Sequence, residues 1–337
     1  MLGTPILVSG ASGFIGRRLL ARLRAEGRQA GGLYHRPPAG QTLAPLDRLG
    51  DLTDPATLHA ACAGFETIIH CAGHAHAFGV SPERARLRHD AVNLQGTRAL
   101  LQAAQAAGVR RFVFLSSVKA AGHPGDALAD ESWPLPPETE YGRAKRAAEQ
   151  AVLEAGARAC MRVCCVRPVM VYGRGGRGNL ERMARGIRAG WFPPLPETGA
   201  LRSMVHVDDL VEAVLTVLDD LGGEGRADGR RFIVAHAGAV SGAALYDALR
   251  AALRLPPVRW RVPAAALQAL GGLGSVLSQL LGRPLPLDRE VVDRLLGPEQ
   301  WSAAEIGQQL DWQARVDLAD GLAEMLGGAA SVDVRGE

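Results

Sequence analysis

Along the first half of the chain, short apolar runs alternate with longer stretches whose apolar residues recur every three or four positions. PILVSG at 5–10, QAGGLYHR at 29–36, FETIIHC at 65–71, RFVFLS at 111–116 and residues 161–166 read as strands. Residues 13–26, 91–107 and 141–155 read as helices, the last two closed by Gly108 and Gly156. Near-continuous apolar runs of about five residues fit strands buried on both faces, and the 3.6-residue period fits helices covering them. Regular alternation of the two implies parallel βαβ crossovers, hence an α/β doubly wound sheet with ligands bound at the carboxyl ends of its strands.

Beyond Arg167-Pro168 the texture changes to a basic glycine loop (GRGGRG, 173–178), a proline-rich stretch (WFPPLP, 191–196), an apolar helix at 205–218 and further proline breaks, ending in an expected frayed tail at 329–337. The organisation expected is a nucleotide-binding domain over residues 1–172, to which later segments return, and a mainly substrate-binding lobe over 173–330. At 47% hydrophobic and 22% charged residues, the 337-residue chain has an ordinary globular composition. A net charge of +3 is too small to point to nucleic acid, yet suits an anionic small substrate, with Arg174, Arg177 and Arg202 among the frequent arginines. The five cysteines are odd in number and lack paired C-x-x-C spacing, which predicts free thiols, no metal site and a reducing, cytoplasmic setting. No secretory leader precedes the strand at about residue 6. Residues 262–281 carry no charge over a membrane-spanning length, but Pro263, three glycines and two glutamines favour a helix over the small lobe, at a subunit contact, with no membrane insertion.

Gly10, Gly13 and Gly16 form G-x-x-G-x-x-G between a strand and a helix. Gly10 permits the tight turn, Gly13 lets backbone approach a pyrophosphate and Gly16 lets helix and strand pack closely, with the helix N-terminus facing the phosphates. The turn as a whole (Gly10, Ser12, Gly13, Phe14, Ile15, Gly16) is the expected dinucleotide element of a Rossmann fold. The second strand ends in Tyr34-His35-Arg36 without an acid, so Arg36, with His35, favours the 2′-phosphate of NADP over NAD. Asp51 and Leu52, in GDLTDP, are placed to flank an adenine.

Tyr141 and Lys145 stand four residues apart, hence on one helix face. An ammonium beside the ring favours phenolate and makes the tyrosine a competent general acid or base. Ser117, just past RFVFLS, is placed to hydrogen-bond the same substrate oxygen, with Ser116 the alternative.

GASGFIG, GDLTDP, IIHCAG, VNLQGT, FVFLSS, YGRAK, RPVMVYG and RSMVHVDDL follow the order found in extended short-chain dehydrogenases/reductases, and the chain resembles that family from about residue 4 to 325. The family includes UDP-galactose 4-epimerase and related nucleotide-sugar epimerases, dehydratases and reductases. The resemblance implies catalytic roles for Ser117, Tyr141 and Lys145, with Asn93 supporting the active-site region. It also implies that His70, Cys71, Ala72 and Gly73 line the cofactor near the nicotinamide, and that Pro168 and Val171 belong to a segment passing under that ring. Asn179 and Leu180 resemble a nucleotide-contacting segment, and Arg202 the arginine that grips a diphosphate. Homodimerisation through two helices per subunit, here those at 91–107 and 141–155, is common in the family.

SSVKAAG, GNLERMARGIRAGWFPPLP and RSMVHVDDL are most similar to bacterial polysaccharide proteins acting on UDP-N-acetylhexosamines as 4-epimerases or 4-keto reductases. Arg174 in place of a proline and Lys119-Ala120-Ala121 in place of an aromatic leave the sugar open. Val118-Lys119 stands where 4,6-dehydratases carry an Asp-Glu pair. The expected activity is oxidoreduction at C4 of a UDP-hexose or UDP-N-acetylhexosamine, a reductase ahead of an epimerase, with a non-catalytic dinucleotide sensor as the alternative of another class.

Overall fold

The structure is a computed structural model that describes residues 4–38, 40, 42–74, 82–176, 178–281 and 289–327. Arg177 and the tail expected at 329–337 lie outside the described residues. In chain order the strands are β1 (Ile6–Ser9), β2 (Ala30–Tyr34), β3 (Arg48–Leu49), β4 (Thr67–His70), β5 (Arg111–Leu115), β6 (Leu128–Ala129), β7 (Arg162–Pro168), β8 (Met170–Tyr172), β9 (Leu201–Arg202), β10 (Met204–His206), β11 (Arg230–Val234), β12 (Val240–Ser241) and β13 (Gln300–Trp301). The helices are α1 (Phe14–Ala25), α2 (Pro55–Cys62), α3 (Pro82–Arg88), α4 (Gly96–Ala106), α5 (Glu140–Arg158), α6 (Asn179–Arg188), α7 (Val207–Gly222), α8 (Gly242–Ala252), α9 (Ala264–Leu281), α10 (Arg289–Leu296), α11 (Ala304–Leu310) and α12 (Leu318–Gly327).

Seven strands form one parallel sheet in the order β11-β7-β5-β4-β1-β2-β3. Its apolar runs are continuous because both faces are covered. On β5, Phe112 and Phe114 join a cluster with α2, α4 and α5, while Val113 and Leu115 join the opposite cluster with α1 and α7. Cys165 and Cys164 of β7 divide the same way. Alternate residues of a strand face opposite sides, so this division is what a doubly covered parallel sheet requires. A third cluster, built by α6, α8, Leu267 of α9, Val292 of α10 and α12, contains no strand of the main sheet and forms the smaller lobe. The strand order reverses between β1 and β4, which opens the crevice where ligands bind in such sheets.

Three local expectations are corrected. Helix α5 does not stop at Gly156 but runs to Arg158. A Cβ at Gly156 would stand 2.5 Å from Val163, so this glycine serves close approach of helix and strand. The helix expected from 205 is preceded by β10, with His206 capping α7 by accepting from the Asp208 amide. The helix expected at 91–107 begins as a π-helix, His89–Gln95, before continuing as α4. The outward positions of α4 include Arg98, Gln102 and Gln105, and those of α5 include Arg143, Arg146 and Gln150.

Two arginines meet one buried carboxylate at the sheet–helix boundary, Arg231 of β11 standing 3.3 Å from Glu149 alongside Arg167. Arg167 of β7 donates two hydrogen bonds, of 2.7 and 2.6 Å, to Glu149 of α5, and their side chains are 3% and 0% exposed. Glu149→Leu leaves that guanidinium buried without its carboxylate. The expected cost is about 3–5 kcal/mol in urea-induced unfolding, much of it recovered in the Glu149→Leu/Arg167→Met double variant.

Candidate active site

The β1–α1 turn is shaped by what its backbone must approach. Gly10 has φ +69°, and a Cβ there would stand 2.7 Å from the Ala72 backbone at the end of β4. A Cβ on Gly16 would stand 2.2 Å from the Gly10 carbonyl, which also accepts from the Gly13 amide at 2.9 Å. Gly13 caps α1 without a side-chain hydrogen bond, and the first turn holds no acid. Ser12 is exposed in this turn, and Phe14 and Ile15 are half-buried. The first amides of α1 therefore point out of a bare glycine cradle at the switch point, a fit for a pyrophosphate. The loop after β8 lies over the same turn, since a Cβ on Gly175 would stand 2.6 Å from the Arg17 guanidinium.

At the end of β2 no carboxylate side chain follows Tyr34. His35 Nδ1 lies 3.3 Å from Asp51, whose carboxylate accepts from the amide and hydroxyl of Thr53 and is held below the usual range chiefly by those bonds. Arg36 is exposed and makes no hydrogen bond or ion pair among the described residues. Leu52 packs against Gly96 at the start of α4, where a Cβ would stand 2.8 Å away.

A buried polar chain joins the ends of β1 and β4 to the π-helix. The Ser9 hydroxyl accepts from the Ala72 amide and lies 2.5 Å from His70 Nδ1. His70 Nε2 lies 3.0 Å from the Thr97 hydroxyl, which donates to the Asn93 carbonyl. That last bond fixes the proton order: Nε2–H donates to Thr97 and Nδ1 accepts from Ser9. Burial keeps His70 neutral, its pKa pushed down to about 3. The Asn93 side chain accepts from the His74 amide at 2.7 Å and donates to the His74 carbonyl at 3.0 Å, clamping the strand end. Gly73 lies between Asn93 and Lys145; a Cβ there would stand 3.2 Å from both Asn93 Oδ1 and Lys145 Nζ.

Ser117 and Tyr141 come together: the Ser117 hydroxyl lies beside the phenol and favours its ionised form, and Ser117 Oγ accepts from the Lys119 amide. Ser116 is buried, its hydroxyl without a partner among the described residues. Burial pushes the Tyr141 phenol up to about 12, opposed by the neighbouring Ser117 hydroxyl. Lys145 donates to the Leu115 carbonyl at 2.8 Å and stands 4.6 Å from the centroid of the Phe114 ring. Burial lowers its pKa to about 8. This buried ammonium uses one backbone acceptor and makes no ion pair among the described residues, so it has donors left for a ligand over Gly73.

The remaining expected residues fall around this centre. Cys71 and Ala72 are half-buried past β4, where burial pushes the Cys71 thiol up to about 12. Pro168 ends β7 buried, with Val171 half-buried in β8. Asn179 is exposed at the uncapped start of α6, but the Leu180 side chain is buried in the lobe core and reaches a ligand only through its backbone. Arg202 donates to the carbonyls of Arg294 and Gly297.

Two groups were missed by sequence reasoning. The His89 ring stands edge-on to Tyr141, centroids 5.5 Å apart, and its Nδ1 lies 3.3 Å from Asn93 Nδ2. Its place one turn before Asn93 was the available signal. Glu299, half-buried, receives a 2.7 Å hydrogen bond from Lys119 and sits near Arg202 and His123; Lys119 above all, with those two, holds its carboxyl below the usual range against burial. Nothing local in the sequence couples residues 180 positions apart.

Residues 6–230 match the model of the NAD dependent epimerase/dehydratase family, and the chain belongs to that family. It is 27% identical over 322 residues to a UDP-glucose 4-epimerase of Vibrio cholerae, covering 94% of this chain and 92% of that protein. Over 217 residues it is 32% identical to N-acetyl-alpha-D-glucosaminyl-diphospho-ditrans,octacis-undecaprenol 4-epimerase of Escherichia coli O157:H7, covering 62% of this chain and 61% of that one. The solved structure of MoeE5 in complex with UDP-glucose and NAD superposes with TM-score 0.71 at 25% identity, over 96% of this chain and 98% of that one. The protein is thus an NAD-dependent enzyme of the epimerase/dehydratase type.

Proposed function

We propose that the protein is an NADPH-dependent 4-keto reductase of a UDP-linked hexose or N-acetylhexosamine. The observation that carries this reading is Arg36, an exposed guanidinium without a partner among the described residues at the end of β2, where a ribose-binding acid would otherwise stand. The bound dinucleotide supplies the hydride. Tyr141 donates its proton to the C4 oxygen, and the Ser117 hydroxyl hydrogen-bonds the same oxygen. Lys145 directs its remaining donors to whatever lies over Gly73, and Asn93 holds the His74 backbone and so the wall of the site. His35, Asp51 and Leu52 flank the adenosine end. Asn179, the Leu180 backbone and Arg202 face the nucleotide diphosphate. With its pKa raised by burial, the phenol rests in the protonated form, which is the form that donates to a carbonyl oxygen.

A second reading, a 4-epimerase with tightly held NAD, is favoured by the epimerase relatives. Denaturing the purified protein and identifying any released dinucleotide separates the two. The reductase reading expects an empty protein that binds NADPH at least about tenfold more tightly than NADH, a preference lost in Arg36→Glu. Near-stoichiometric release of NAD, or indifference of the preference to Arg36→Glu, overturns it.

A further inference from the structure

The smaller lobe carries an apolar surface that its own core does not use. Helix α9 packs through Leu267, Gly271 and Gly274, while Leu270, Leu273, Val276 and Leu277 lie on the opposite side, each about half exposed or more. At 100° per residue these four positions span a single stripe, and Ala265, Ala266 and Ala269 continue it toward the helix start. No charged side chain interrupts α9 anywhere along its length. A contiguous exposed stripe of this kind marks an interaction surface, in contrast to scattered single exposed leucines.

The surroundings say what covers it. Trp260, 61% exposed, immediately precedes the helix region, and Trp191 is 68% exposed on a neighbouring segment. The Val262 amide donates to the Pro194 carbonyl at 3.1 Å, which ties the two tryptophan-bearing segments together. Arg188, Arg254 and Arg259 are exposed around them and pair with no carboxylate among the described residues. An uncharged stripe, tryptophans at its end and unpaired arginines beside them match a helix lying in the plane of an anionic lipid surface. The outward positions from Ala265 to Leu277 other than Gln268 and Gly272 are apolar, so they offer little hydrogen bonding to set register with a protein partner. No helix among the described residues is long and apolar enough to cross a membrane.

We propose that this face of the smaller lobe docks peripherally on an anionic phospholipid bilayer, with Leu270, Leu273, Val276, Leu277 and Trp260 entering the interface and Arg254 and Arg259 meeting lipid phosphates. The test is flotation of the full-length protein with phosphatidylcholine vesicles, with and without phosphatidylglycerol. The expected result is flotation with the anionic vesicles, weakened by salt and reduced about tenfold or more both by Leu273→Glu/Leu277→Glu and by Arg254→Gln/Arg259→Gln. Dinucleotide binding by each variant reports that the fold is retained, and the arginine pair alone carries the test where the glutamates disturb folding. Absence of flotation with anionic vesicles, or equal flotation of the variants, overturns the proposal. So does a wild-type dimer in sedimentation that Leu273→Glu converts to monomer, since the face is then a contact between copies of this chain.

Discussion

Tyr141→Phe is expected to lower kcat by about a thousandfold while leaving the dinucleotide dissociation constant within about threefold of wild type. The substitution removes one oxygen and keeps the ring. The ring's contact with His89 therefore persists, and the glycine cradle, on a different element, is untouched. What is lost is the proton that burial holds on the phenol, with a pKa of about 12, and the oxygen beside Ser117. Such an acid stays protonated near neutral pH, the form the proposed reduction requires. Turnover is followed by the absorbance of the reduced nicotinamide and binding by its fluorescence. A variant with near wild-type kcat would show that another group supplies the proton, and a variant that loses binding as well would show that the oxygen holds the site together.

Lys145→Met is expected to lower kcat by a factor of roughly a hundred or more and, unlike Tyr141→Phe, to weaken dinucleotide binding. The ammonium is buried against the Phe114 ring, spends one proton on the Leu115 carbonyl, and borders the place where Gly73 allows close approach. Its folded pKa of about 8 lies below the ordinary 10.5 because burial penalises the charge. The sign follows for both activity and stability. Below about pH 8 the charge is present, and above it kcat/KM should fall about tenfold per pH unit, with this limb absent from Lys145→Met. The folded protein holds this proton less tightly than the unfolded chain, so the same group makes folding more favourable as pH rises from about 8 towards 10.5. A flat wild-type profile through this range would remove Lys145 from the reaction.

Much of this arrangement is legible in the chain itself. The strands at 6–9, 111–115 and 162–168 announce themselves as unbroken apolar runs because helices cover both of their faces. The glycine turn is legible because Gly10 and Gly16 meet backbone atoms, and only a residue without a side chain fits there. The pairing of Ser117 with Tyr141 is legible through its position after β5 and on α5.

Other features depend on contacts that no local pattern encodes. Gly156 looks like a helix stop, but its role depends on Val163 of a neighbouring strand. The π-helix is entered where Asn93 turns inward to clamp His74, a tertiary demand that an amphipathic period does not reveal. Four-residue spacing puts Tyr141 and Lys145 on one face, yet the lysine turns to the end of β5 because the Leu115 carbonyl and Phe114 ring await it there.

The sequence by itself determined the parallel α/β sheet, the dinucleotide turn and the shared helix face of Tyr141 and Lys145, since each follows from short-range periodicity, backbone sterics or helical spacing, whereas Ser117 was singled out over Ser116 by resemblance. Only the tertiary structure decided the protonation of Tyr141, the partner of Lys145, the Lys119–Glu299 pair and the bare face of α9. Burial and long-range proximity set these, because the free energy of a charge or an apolar side chain depends on what surrounds it in space rather than on its neighbours along the chain.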